Sequence, residues 1–458
     1  MSILKPKSNH KIVTIVTIQN KIIPSSDFSH CKISYLLVLI LFSVLQSHAQ
    51  QPTQSDINHN KQILQEFIQY NPDFVQMKAQ RIARIRTLLA KVNENEAAGY
   101  KTNCSHQILW EIKALIMQTA DFRLIDKRIA DLDSSLAHPE KEALALLQDS
   151  VNGSWGICFD EWYCKLDEFC EEVGRDENKN RILKFQPHFL DLVNSPEKLT
   201  NYLQSISVSD IPKTGTDHLL EFNLSLSNLL RLILRDRPKG YAWDPGLKKT
   251  LTDLIFKHFQ NPETGWWGES YVRDGRIQFV DDLSTTFHIV TFLGGKVPDL
   301  PQVVSTTLAV KDLDFPVGWL YKGAYWNHNN MDVVALFKAG WPYADENQKK
   351  AMTIEIQKML QWCLNESLQP DGSFKPHIAD GSLEEGVYYG TSFLGRIGYF
   401  DKSERFWTDK EFPESKEIRK KIIDYILKHS ATGGSGGSYY ESALEDYLNY
   451  KQDQHKKN

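Results

Sequence analysis

The feature that most constrains this chain is a turn that recurs between helices of two kinds. Short turns joining Gly to an aromatic residue stand at Asn152-Gly153-Ser154-Trp155, Thr264-Gly265-Trp266-Trp267, Gly318-Trp319, Asp371-Gly372-Ser373-Phe374 and Gly437-Ser438-Tyr439. From Trp267 onward they return every ~50–65 residues, the length of two helices and their loops. An amphipathic pattern precedes the turns, as in residues 247–259 and 352–364. A more apolar pattern follows, directly or after a loop, in residues 282–293, 331–339 and 387–397. Helical periodicity also marks residues 108–116, Leu219–Leu234 and 418–427, and strand patterns are scarce, so few or no strands are expected. Half-wetted helices alternating with helices apolar all round call for an outer layer around an enclosed inner one. The expected fold is all-α, an (α/α)n toroid of about six or seven helical hairpins. An open right-handed solenoid is the rival; it would keep a stricter period and need not close.

The N-terminus reads as an export signal. Residues 35–45 (YLLVLILFSVL) form an apolar run with Lys32 before it and Ser47-His48-Ala49 after it. That run is far short of the ~20 residues a membrane span needs, and Ser-x-Ala is a small-x-small cleavage site. Residues 1–49 are therefore expected to be a signal peptide with an extended n-region. Residues 50–458 then form a single toroid domain, exported to the periplasm or beyond the cell.

Five Lys against one Asp give the first 49 residues a net +4, so removing them takes the chain from −5 to about −9. Such a surface disfavours nucleic acid and anionic membranes as partners, and no stable membrane insertion is expected. An acidic substrate would need a local basic patch. Of the five cysteines left, Cys158, Cys164 and Cys170 recur at six-residue spacing, which places no two on one helix face, and no CxxC occurs. Core cysteines with room for one bridge fit this better than a metal site.

Polar residues gather where each turn leads into its apolar helix. The groups are Asp217, His218 and Asn223; then Asp281, Asp282 and His288, after a loop carrying Tyr271, Arg273 and Arg276. Next come Tyr325, Trp326, Asn327, His328, Asn329 and Asn330; then Glu384, Glu385, Tyr388 and Tyr389; finally Tyr439, Tyr440 and Glu441. In a toroid the inner helices run the same way, so these positions converge on one end of the central cavity. Each has a plainer reading as well. Asp281, Asp282 and Asn330 are good helix caps, His288 and the tyrosines suit a core, and Trp266 and Trp267 can seal neighbouring hairpins. The run 327–330 is harder to explain as packing, because four consecutive amide or imidazole side chains exceed what one cap needs.

No phosphate loop, HExxH, GxSxG or nucleotide fingerprint is present. What remains is Asn, His, Tyr and Arg with Trp surfaces. These suit β-elimination on a uronic acid: neutral amides, imidazole and guanidinium groups spread the charge that builds on the carboxylate as H5 leaves. A Tyr or His removes H5 and a Tyr returns a proton to O4, with no metal and no cofactor.

On Tyr325-Trp326-Asn327-His328-Asn329-Asn330, with Tyr271, Arg273 and Arg276, the chain resembles the secreted α/α-toroid polysaccharide lyases acting on alginate, glucuronan and related uronans. The resemblance implies that Asn327, Asn329 or Asn330 with His328 neutralises the substrate carboxylate. Arg273, Arg276, Tyr271, Tyr325, His288 and Tyr389 would complete the catalytic set; Trp266, Trp267, Trp326, His218, Asp282 and Tyr388 would bind the sugar chain. The usual Arg-to-Tyr segment of that family has no clear copy here, which leaves the acid and the base unassigned. Three other readings stand behind it. A glycoside hydrolase would pair Asp281 or Asp282 with Glu384 or Glu385; a glycan-binding ring would use the Trp residues alone; a terpene cyclase would need the DxDD of which Val280-Asp281-Asp282 is only a fragment.

Overall fold

The computed structural model describes residues 72–119, 121–138, 147–174, 183–375, 383–430 and 437–449. The signal-peptide expectation falls outside them. Fourteen α-helices of six or more residues occur among the described residues, eight of them anticipated by the periodicity: α1 (Pro72–Ala97), α2 (Asn103–Gln118), α3 (Phe122–Ala137), α4 (Trp162–Val173), α5 (Pro196–Ile206), α6 (Leu219–Leu234), α7 (Leu247–Lys257), α8 (Leu283–Phe292), α9 (Leu300–Ala309), α10 (Asn327–Gly340), α11 (Glu346–Trp362), α12 (Leu383–Arg396), α13 (Ser415–Ser430) and α14 (Gly437–Ser442). None of the described helices is long and apolar enough to cross a membrane.

Helices α1 to α3 pack on one another around Leu88, Val92, Ile112, Ile125 and Leu132, a core of their own. A disulfide between Cys104 and Cys158 ties the start of α2 to the stretch ahead of α4, while Cys164, Cys170 and Cys363 are free and buried. Beyond that layer, α4, α6, α8, α10, α12 and α14 touch in sequence. Helices α5 and α7 back onto α6, α9 and α11 onto α10, and α13 onto α14. Burial follows the two helix types. In α10 nearly every side chain from Asn327 to Phe337 is buried, whereas α11 buries only Met352, Glu355, Ile356, Met359 and Leu360. A helix apolar all round is stable only when enclosed, and a one-sided helix only when its other side meets water.

The recurring turns owe their form to glycine. Gly153 and Gly265 sit at φ of 74° and 73°, where a Cβ is unfavourable. In each turn a Gln five residues earlier donates its amide to the glycine carbonyl, Gln148 at 2.8 Å and Gln260 at 3.0 Å. The aromatic two residues after each glycine, Trp155 or Trp267, is then driven into the core.

The stretch carrying Tyr271, Arg273 and Arg276, expected as a loop, is instead a hairpin. Strands β2 (Gly268–Arg273) and β3 (Arg276–Asp281) pair antiparallel with Arg273 opposite Arg276, and β1 (Val208–Ser209) adds parallel to β2. Asp274 and Gly275, at φ of 48° and 70°, make the two-residue turn whose twist matches paired strands.

Candidate functional site

The run 327–330 lies inside α10, not ahead of it. Four consecutive helical residues fan out at about 100° apiece, so they cannot share one face. Asn327 donates Nδ2 to Ser367 Oγ at 2.9 Å, and Asn329 donates Nδ2 to the Trp319 carbonyl at 2.8 Å. Both are buried, as is Asn330. The first two amides are thus committed to holding neighbouring turns, contrary to their expected part as a joint carboxylate receptor. His328 differs: its side chain is 26 % exposed.

Around His328 of α10, residues of α8 and α12 assemble a compact polar and aromatic group. The Tyr389 ring of α12 stacks on the imidazole at 4.1 Å with planes 4° apart, and Trp326 meets it edge-on at 4.8 Å. One turn on, the fully enclosed Asp332 has Oδ2 3.9 Å from His328 Nε2, and neither of its carboxyl oxygens has a hydrogen-bond partner. Burial pushes the Asp332 carboxyl well above the usual range, against the pull of Arg396, and brings His328 down to about 4. His328 is thus a neutral imidazole at pH 7, and the Asp332 carboxyl holds its proton more tightly than an ordinary aspartic acid. On α8, His288 is brought down to about 3 by burial, with His328, Arg231 and Arg396 adding to it. Its Nδ1 lies 2.9 Å from Asn223 Oδ1 of α6, which makes Nδ1 the donor and leaves Nε2 as the basic nitrogen.

Tyr388 links this group to the C-terminal segment through ring contacts with Tyr389, Tyr439 and Tyr447. Arg396, in the last turn of α12, places its guanidinium over Phe287 and Tyr447 and donates Nη2 to Tyr447 Oη at 3.2 Å. Burial keeps the Tyr388 and Tyr389 phenols protonated.

A second polar cluster surrounds Glu269. The Tyr271 hydroxyl lies 2.9 Å from Asp217 Oδ1 and 3.4 Å from Glu269 Oε2, and Ser209 Oγ donates to Glu269 Oε1. Burial, with Asp217 beside it, raises the Glu269 carboxyl well above its ordinary value. The Tyr271 hydroxyl is the donor in both contacts, so Asp217, Tyr271, Glu269 and Ser209 form one connected chain. His218 follows, its Nδ1 3.0 Å from Glu221 Oε2. Asp282, buried at the start of α8, lies within electrostatic reach of both Glu269 and Asp332.

Other expected residues sit elsewhere. Trp266 and Trp267 are wholly enclosed, with Nε1 donated to the carbonyls of Val303 and Ile255; they seal adjacent hairpins and offer no ring face to a sugar. Arg276 is exposed at the hairpin tip, and Arg273 occupies the paired tip position. Tyr325 leans on Trp362 of α11. Asp281 accepts from Asn261 Nδ2 and Thr264 Oγ1, both at 3.0 Å, clamping the Trp turn. Asp282 accepts from the Thr285 amide and caps α8. Glu384 and Glu385 are half-buried in the first turn of α12.

Sequence reasoning passed over Asp332, Arg396 and Glu269. Asp332 had a signal, being a lone carboxylate in the apolar stretch Met331-Asp332-Val333-Val334, four residues after His328. Comparison with protein-family models, curated proteins and solved structures returns no match.

Proposed function

We propose that this chain is an exported polysaccharide lyase that cleaves a uronic-acid polymer, such as alginate or glucuronan, by β-elimination inside a closed α/α toroid. Closure is supported by Tyr439 of α14, which lies within electrostatic reach of Asp167 and Glu171 on α4, the two ends of the helix row. A Cys104–Cys158 disulfide fits an oxidising compartment.

The observation that carries the reading is the partly exposed His328, stacked on Tyr389 and within electrostatic reach of the neutral His288 on the adjoining helix. Neutral imidazoles and buried phenols can serve a substrate that is itself anionic without adding negative charge. In the scheme we favour, His328 donates a hydrogen bond to the sugar carboxylate. Nε2 of His288 takes the C5 proton; the C5 electron pair forms the C4–C5 double bond as the C4–O4 bond breaks. The phenol of Tyr388 or Tyr389 gives its proton to O4.

The test is a panel of uronic-acid polymers followed by ultraviolet absorbance. An unsaturated non-reducing end formed without solvent oxygen supports the reading; products carrying solvent oxygen and no unsaturation sink it. Asp282 favours one second reading. Its carboxyl, pushed up to about 6 by burial, suits the general acid of a glycoside hydrolase, with Glu384 or Glu385 as the second carboxylate such an enzyme needs.

A further inference from the structure

A buried carboxyl with no hydrogen bond destabilises a fold, and Asp332 is one in the middle of an inner helix. The remainder of that stretch, Val333, Val334, Ala335, Leu336 and Phe337, is apolar and buried, so packing alone would be better served by another apolar side chain. The polar group within reach is the imidazole one turn back, at 3.9 Å. Tyr389 holds that ring on one face and Trp326 at its edge, while Arg396 and Asp282 act on the carboxyl from a distance.

We infer that Asp332 is a positioning residue for His328: its carboxyl engages Nε2, fixes the imidazole as the Nδ1–H tautomer, and leaves that N–H for the substrate. The assignment follows from the geometry, an enclosed carboxyl without a hydrogen bond standing one turn from Nε2 at 3.9 Å. A protonated carboxyl beside a neutral imidazole has one favourable arrangement, Oδ2–H donating to Nε2, and a small side-chain rotation shortens 3.9 Å to a hydrogen bond, as happens when catalytic groups close on substrate.

For the substrate this rests on the lyase reading, and there it supplies a charge relay that balances within the site. As the C5 proton leaves for His288 and charge builds on the sugar carboxylate, the Asp332 proton passes from Oδ2 to His328 Nε2. The substrate then faces an imidazolium backed by a carboxylate. When O4 has taken its proton from the phenol, the relay proton returns to Oδ2. No proton is drawn from solvent during bond breaking.

The experiment uses the full mature chain labelled with ¹⁵N-histidine, with His328→Gln to assign the His328 resonances. Wild type should show Nδ1 protonated and Nε2 as acceptor. Asp332→Leu should move the ring to the commoner Nε2–H tautomer, leave the melting temperature no lower, and reduce kcat roughly ten- to a hundredfold with KM little changed. Asp332→Asn keeps an N–H donor for Nε2 but no transferable proton, so it should preserve the tautomer and still lower kcat. An unchanged tautomer or full kcat in folded Asp332→Leu overturns the inference; if that variant does not fold, unaltered kcat in Asp332→Asn overturns it. A tautomer that switches in a chain cleaving no uronan would end the lyase reading and leave the positioning role standing. Normal cleavage with an indifferent tautomer would do the reverse.

Discussion

Asn329→Ala separates the two readings of the run 327–330. The structure gives Asn329 no exposure and commits its Nδ2 to the Trp319 carbonyl at 2.8 Å. Truncation leaves that carbonyl buried and unpaired, a loss of about 1–3 kcal/mol, and the vacated side-chain volume adds about 1 kcal/mol. Near 2 cal/mol/K per residue, a chain of 458 residues unfolds with roughly 0.9 kcal/mol/K, so a loss of about 2–4 kcal/mol corresponds to a fall of about 2–4 °C in melting temperature. Turnover of the folded fraction should stay near wild type, because the amide does not meet substrate. His328→Ala should behave oppositely. It loses a partly exposed ring whose stacking is worth about 1 kcal/mol and, on the lyase reading, a transition-state donor worth ~10²–10³ in rate. Calorimetry and polymer turnover on the same preparations read both quantities. An Asn329→Ala protein with unaltered melting temperature and abolished turnover would refute the division made here between the amides and the imidazole.

Three further outcomes are expected. Trp267→Ala should cost about 3–5 kcal/mol, seen by calorimetry, and leave polymer affinity of the folded protein unchanged, since the ring is enclosed. Burial holds the Asp281 carboxyl at about 7, so the native state keeps a proton there that an unfolded Asp has released. This contribution is full below about pH 3.9 and is lost as pH rises through about 7. Asp281→Asn, which retains an acceptor for Asn261 and Thr264, should therefore flatten part of the decline in melting temperature between about pH 4 and 7; an unaltered slope would count against the shift. Replacing both Cys104 and Cys158 by Ser releases a bridge between residues 54 apart. It should destabilise by about 4 kcal/mol from chain entropy, read as a lower denaturation midpoint, with α1 to α3 exchanging amide hydrogens first.

Much of the helical framework is legible in the chain because periodicity is a local property. The apolar stretch 331–339 announces α10 to within a turn, and Gly153 and Gly265 announce the turns that bury Trp155 and Trp267. The hairpin at Asp274-Gly275 was legible as well, from a turn dipeptide between alternating strands, though the helical pattern around it hid it. The boundary of α10 was the costly error. Starting the helix at Asn327 instead of Met331 turned a supposed row of donors into residues pointing in four directions.

By itself, then, the sequence marked eight of the fourteen helices, which of those are apolar all round, and where glycine bends the chain, because each depends on neighbours within a few positions. It also carried His328, Tyr389 and His288 as candidates. Only the tertiary structure decided that Trp266 and Trp267 face inward, that Asn327 and Asn329 serve the scaffold, and that Asp332 stands unpaired behind His328. Those outcomes depend on which groups from distant helices come within hydrogen-bond reach and on how much water remains between them. A side chain's burial and protonation are properties of that shared surrounding, and no spacing along one chain specifies them.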